Sequence, residues 1–392
     1  MNYMKLCSLV SIALVLTVLI GCDRMELLEY DNISSYESLD RNAMAPPPGM
    51  SLEVALNTIK NPPANDPALL NAAISIVMNA MGVQASVADP YKKCSINDMA
   101  QAMENALEGT GFNLSKGTLE SVMINVINEA IKQVNSGALD RTKPENAGLF
   151  ALAEGVIQRT GKTTLTIEDA ANPNLIDTAG FLVLTTAMNQ AINSVADDAI
   201  IAGSKEAIQE TVAKVNSVIP GAPISGDALC NQLIPKPNPA LGGLLTDVVK
   251  EQLLKEPEVL QKKEDLINKT KSDMLAVVDE KITNQVVAEL TSILKQMQAE
   301  GKLQGVSIPD KIDFNNLNDI LKQLSRDDLN SIRQQLSTIQ GKIVEKVKGD
   351  VATEFKDIEQ SKIKTFVENV AEEMGIKIAF APIHNQGIII IR

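Results

Sequence analysis

Two long series of apolar residues dominate the second half of this chain. In the first, Leu260, Ile267, Met274, Val278, Ile282, Val286, Leu290, Ile293 and Met297 fall at intervals of three, four or seven. In the second, Leu329, Ile332, Leu336, Ile339, Ile343, Val347, Val351, Phe355 and Ile358 repeat the pattern. This is helical spacing, in which residues three and four apart share a face; a strand would alternate with a period of two. Both stripes are narrow and flanked by Lys and Glu, so each needs a second apolar surface to cover it. The nearest is its neighbour in sequence. Residues 244–375 are therefore expected to form a long, charged, antiparallel helical hairpin, with Gly341 and Gly349 kinking its second arm.

The chain before this hairpin reads as shorter helices joined by tight loops. Asp66-Pro67 supplies a cap and a first-turn proline, and Gly82 a stop. Ser95 with Asp98 opens the next helix, and Gly109 lies beyond its end. Thr142 and Pro144-Glu145 open another, closed by Gly161. Further helices are expected near 117–135, 176–201 and 204–218, which makes 67–235 an Ala-rich helical domain. Pro235-Lys236-Pro237-Asn238-Pro239 followed by Gly242-Gly243 is the strongest breaker cluster after it. The charged fraction roughly doubles across that cluster, so 236–243 reads as a linker between two domains. At the end, Ile376–Ala381 and Gly387–Arg392 are β-prone runs on either side of Pro382–Gln386, the pattern of a short β-hairpin over 376–392. The fold class is mostly α.

Composition removes several functions. The formal net charge is −13, and no basic run reverses it locally, so nucleic acid is not an expected partner. The chain has no Trp, four Tyr and seven Phe, too few for the aromatic platforms of sugar clefts or single-strand grooves. Its one histidine, His384, stands in the C-terminal turn, which leaves little room for His-based catalysis or a zinc site. No cofactor is expected.

Four local patterns invite chemistry and have simpler readings. Gly161-Lys162-Thr163 resembles the tail of a phosphate loop, but that loop needs a glycine at 156, where Val stands; a helix C-cap explains Gly161. Asp313, Asn315, Asn316, Asn318 and Asp319 crowd one loop, yet a calcium loop starting at Asp313 would place Leu317 at its fifth position and Asn318 where Gly is required. Capping explains them. Asp197-Asp198 and Glu372-Glu373 are adjacent pairs that diverge around a helix. Met78, Met81, Met99, Met103 and Met123 gather in the first domain, where they either fill core gaps or line an adaptable apolar pocket.

The N-terminus is the most specific motif. Lys5 precedes an apolar run from Leu6 to Ile20, too short to span a bilayer comfortably but suited to a secretory signal. The run ends Leu19-Ile20-Gly21-Cys22. This resembles the lipobox of bacterial lipoproteins, and the resemblance is confined to residues 1–22. It implies cleavage between Gly21 and Cys22, lipidation of Cys22, and membrane attachment by acyl chains. Residues 22–66, with Pro46-Pro47-Pro48-Gly49, then read as a flexible tether, with a short helix capped by Ser51 within it. Asp23 resembles the inner-membrane retention residue of enterobacterial lipoproteins, a code other bacteria do not all read, so the leaflet stays open. In the oxidising compartment this implies, Cys94 and Cys230 are the two cysteines left to pair, and a disulfide between them is expected.

Together these readings imply a lipid-anchored cell-envelope protein with a spacer, structural or protein-interaction role and no catalysis. The alternative is a ligand-binding module using a Met-lined pocket in 67–235. An envelope enzyme is third.

Overall fold

The computed structural model describes residues 49–219, 224–234, 243–303, 305–309, 311–360 and 366–380, and of 353–360 only the backbone. The signal segment, Gly21, Cys22, most of the tether, the Pro/Gly linker up to Gly242 and His384 lie outside the described residues. The fold is mostly α. Its buried apolar side chains form two separate cores, which divide the molecule into a broad head and a slender stalk.

The head begins with α1 (Leu52–Lys60), α2 (Pro67–Ala80), β1 (Ala85–Val87), β2 (Lys93–Cys94), α3 (Ile96–Leu107), α4 (Lys116–Asn135) and α5 (Ala147–Thr160). Their starts follow the capping signals. Ser51, Asp66, Ser95 and Ser115 each accept a backbone N–H of the first turn, satisfying a donor that would otherwise lack a partner. Gly161 closes α5 in the left-handed conformation, its N–H donating to Ile157 O at 2.8 Å. β3 (Ile176–Asp177) pairs antiparallel with β2 and leads into α6 (Thr178–Val218).

α6 is a single helix of 41 residues that leaves the head and builds the stalk. α7 (Gly226–Leu233) folds back along it, with Gln209 bonded to Asp227 at 3.0 Å and Asn216 to Ile224 O at 2.9 Å. α8 (Gly243–Leu253) restarts beside the head portion of α6, where Thr246 bonds Gln190 at 2.8 Å. α9 (Pro257–Ala299), 43 residues long, then runs parallel to α6 out into the stalk. The direction follows from the ion pairs Lys271–Glu210 and Lys214–Asp279, which keep nearly the same sequence offset. α10 (Phe314–Leu321) and α11 (Arg326–Gln335) turn the chain at the tip, and α12 (Ile339–Gln360) returns antiparallel to α9, with Lys342–Glu289 at 2.6 Å and Lys281–Asp350 at 2.7 Å. Finally α13 (Phe366–Glu373) and β4 (Ile378–Phe380) rejoin the head, where β4 pairs antiparallel with β1, Ser86 opposite Ala379. From Leu266 to the end of α9 the stalk extends about 50 Å.

The predicted hairpin stripes do meet, since Met274, Val278, Ile282, Val286 and Leu290 on α9 and Ile343, Val347 and Val351 on α12 are all fully buried in the stalk core. The sequence pattern left out α6, which covers another part of the α9 surface. Leu260, counted in the stripe, is 48% exposed, because it lies before the stalk core begins.

The structure corrects three expectations. The division at 236–243 does not separate the cores: the head core takes in Leu245–Val259 and Phe366–Ile378, and the stalk core takes in Ile200–Ile234. The rise in charge across that point reflects the high surface-to-volume ratio of stalk helices. Residues 51–66, expected as part of a tether, belong to the head, with Leu56 and Ile59 buried in its core. The second arm breaks at a 3-10 turn over Leu336–Thr338, and α12 runs through both Gly341 and Gly349. Ile378–Phe380 is a strand as expected and pairs with β1, almost three hundred residues upstream; the expected hairpin partner, Gly387–Arg392, lies outside the described residues.

Candidate functional site

The two cysteines are free, buried and far apart. Cys94 pairs with Ile176 at the start of α6, whereas Cys230 lies against Lys205 O on the same helix, 3.8 Å away. The intervening helix rises about 40 Å, and a disulfide needs Cα atoms within about 7 Å. The expected bond is therefore not formed. Burial pushes the Cys94 thiol up to about 12; Asp177 and Asp98 add to the shift, while Arg159 and Lys92 oppose it. Burial, then Asp227, raises the Cys230 thiol as well. Neither supplies a thiolate near neutral pH, and that species is what nucleophilic or metal-binding cysteine chemistry requires.

The five methionines are core. Met78, Met81, Met99, Met103 and Met123 are at most 1% exposed and belong to the head cluster. The Met81 sulfur would lie 3.1 Å from a β-carbon placed on Gly148, so it fills the space that the glycine leaves. Lys162, of the phosphate-loop-like triplet, pairs with Asp169, and that bond, helped by Thr166, holds the Asp169 carboxyl below its ordinary pKa. Asp313 caps α10, accepting from the N–H groups of Asn315 and Asn316 at 2.9 Å, and Asn316 reaches back to Asp313 N. Among the described residues no cluster of three metal-ligating side chains occurs, and no helix is long and apolar enough to cross a membrane.

A polar recess of about 430 Å³ lies between the end of α3, the loop to α4 and the start of α9, lined in part by Glu104, Glu108, Glu258 and Lys262. Two of its carboxylates are committed to holding the fold. Glu258 accepts from Ser115 N at 3.0 Å, Ser115 Oγ at 2.6 Å and Thr118 Oγ1 at 2.5 Å, so a residue of α9 caps the N-terminus of α4. Burial acts to raise the Glu258 pKa, but these hydrogen bonds outweigh it and, with Lys262 nearby, hold the group below its ordinary value. Glu104 accepts from Lys116 N at 3.0 Å and from Gln101. Glu258, held ionised by several donors, is a poor general base or acid near neutral pH. The recess positions helices.

The two most buried ion pairs have the same character. Arg141 grips Glu154 with two bonds of 2.9 and 2.7 Å, and Arg159 joins Asp177, which also caps α6 through Gly180 N. Nothing in the sequence links Glu258 to Ser115 or Arg159 to Asp177, because each contact depends on how separate helices pack. Among family models, curated proteins and solved structures, the chain has no match.

Proposed function

We propose that this is a lipid-anchored protein of the bacterial cell envelope that acts as a non-catalytic spacer, holding the tip of its stalk away from the anchored head. The lipid part rests on Leu19-Ile20-Gly21-Cys22 and the signal-like run before it. The observation that carries the spacer part is the shape: α6 and α9 run unbroken from the head core into a stalk with its own core. Protein partners would meet its charged helical faces, since the only large apolar side chains strongly exposed among the described residues, Val54, Ile167 and Leu260, do not form part of the stalk core. The acidic charge makes nucleic acid an unsuitable partner. The alternative of a Met-lined ligand pocket gains no support from methionines already packed in the core.

Metabolic labelling with a tagged fatty acid tests the anchor in the full chain. Wild type is expected to carry label and partition with membranes, while Cys22→Ser carries none and retains its signal. Equal labelling and normal processing of Cys22→Ser would overturn the assignment.

A further inference from the structure

We propose that residues 366–380 are a strap that closes the head as a unit able to open on its own, leaving α6, α9 and the stalk folded. The strap reaches the head only after the chain has travelled the whole stalk, and it adds no residue to the stalk core. Phe366 and Val370 are fully buried in the head, Ile376 and Ile378 nearly so, with α13 packed against α3 and α6.

Its intrinsic structure is weak. α13 has eight residues, fewer than the roughly 12–15 an isolated helix needs even to be marginal. β4 has three residues in a two-stranded sheet, which is marginal without packing. Docking therefore orders the strap, and its polar ties lie at or near the surface. Lys92 Nζ donates to Met374 O at 2.5 Å and Gly375 O at 2.9 Å, neutralising the C-terminal end of α13, and Asn105 donates to Glu373. Gly375, at φ 63°, makes the turn between α13 and β4, with Ile376 N donating to Ala371 O at 2.7 Å.

The surface beneath is held independently. Ser75 Oγ donates to Ala85 O at 2.9 Å, and Asn71 Oδ1 accepts from Val87 N at 3.1 Å. These two α2 side chains grip β1 on the edge away from β4, so β1 has anchors that do not depend on the strap. Releasing the strap thus uncouples the return of the stalk from the head without breaking either helix that joins them.

Native-state hydrogen exchange on the full chain tests this. Amides of 366–380, with those of Ser86 and Ala88, are expected to exchange at least about tenfold faster than the α6 amides over 180–195, as a sub-global opening requires. Ile378→Asp should accelerate the strap further and leave α6 and α9 unchanged. Lys92→Met, which removes two ties without placing a charge in the core, should do the same more mildly and remains readable if Ile378→Asp does not fold. Strap amides exchanging at the α6 rate in wild type, or α6 accelerating together with the strap in Lys92→Met, would overturn the proposal.

Discussion

Head and stalk are both helical, but they are held together differently. In the head, many short helices surround a core thick enough to bury Phe181, Met99 and Leu119 completely, and the ion pairs Arg141–Glu154 and Arg159–Asp177 are largely shielded from solvent. The stalk's ion pairs are more open: Lys281 and Asp350 are 44% and 43% exposed. Exposed pairs contribute little, typically under about 1 kcal/mol. The stalk therefore depends on its apolar seam, whereas the head also draws on buried polar links. Charge on the stalk surface sets solubility and helix register more than stability.

The sharpest way to break this comparison is to empty one core at a time. Phe181→Ala in the head should cost about 3–5 kcal/mol and Leu290→Ala in the stalk about 2–5. Each should lower the unfolding transition of its own region in calorimetry; identical lowering of a single shared transition by both would show that the two cores unfold as one. At the junction, a β-carbon on Gly203 would fall 2.4 Å from Ile267 O and 2.9 Å from Thr270 Cβ. Gly203→Ala should therefore force α6 and α9 apart at a cost of about 1–3 kcal/mol, less up to about 1 kcal/mol returned by helix propensity. Head-to-tip distances from spin labels would show the altered alignment. The smallest expected effect concerns acid. Because the folded state holds Glu258 below its ordinary pKa, its contribution is fully present above the ordinary carboxylate value and is lost as pH falls through the depressed one. Glu258→Gln should be less stable than wild type near neutral pH and approach it in acid, as denaturant midpoints across that range would show.

The helical class, the caps at Ser51, Asp66, Ser95 and Asp313, and the Gly161 stop were legible in the sequence because each depends on residues a turn or less apart. The seam from Met274 to Met297 was legible for a similar reason, since periodicity along one helix records which face is covered. What covers it was not legible. α6 is apolar on so many sides that its pattern names no partner, and half of it serves the head while the other half serves the stalk. The strap's pairing with β1 was hidden because Ile378–Phe380 is β-prone whichever strand it joins, and nothing local points to Ala85–Val87. The capping of Ser115 and Thr118 by Glu258 was hidden because an acidic first turn already has a local use at its own helix end. For the candidate site the lesson is similar: the motifs that looked chemical, at Gly161–Thr163 and at Asp313–Asp319, were punctuation whose grammar could be read locally.

The first and last of the described residues lie on the same part of the molecule, since Met50 packs on the head core and Phe380 pairs into it. This has a mechanical consequence. Were the chain held at its N-terminal side and pulled there with the stalk left free, the head alone would bear the load, and no tension would pass along α9 or α12. The stalk could then bend or be pushed at its tip as a cantilever, while a load on the N-terminal side would be resisted by the head.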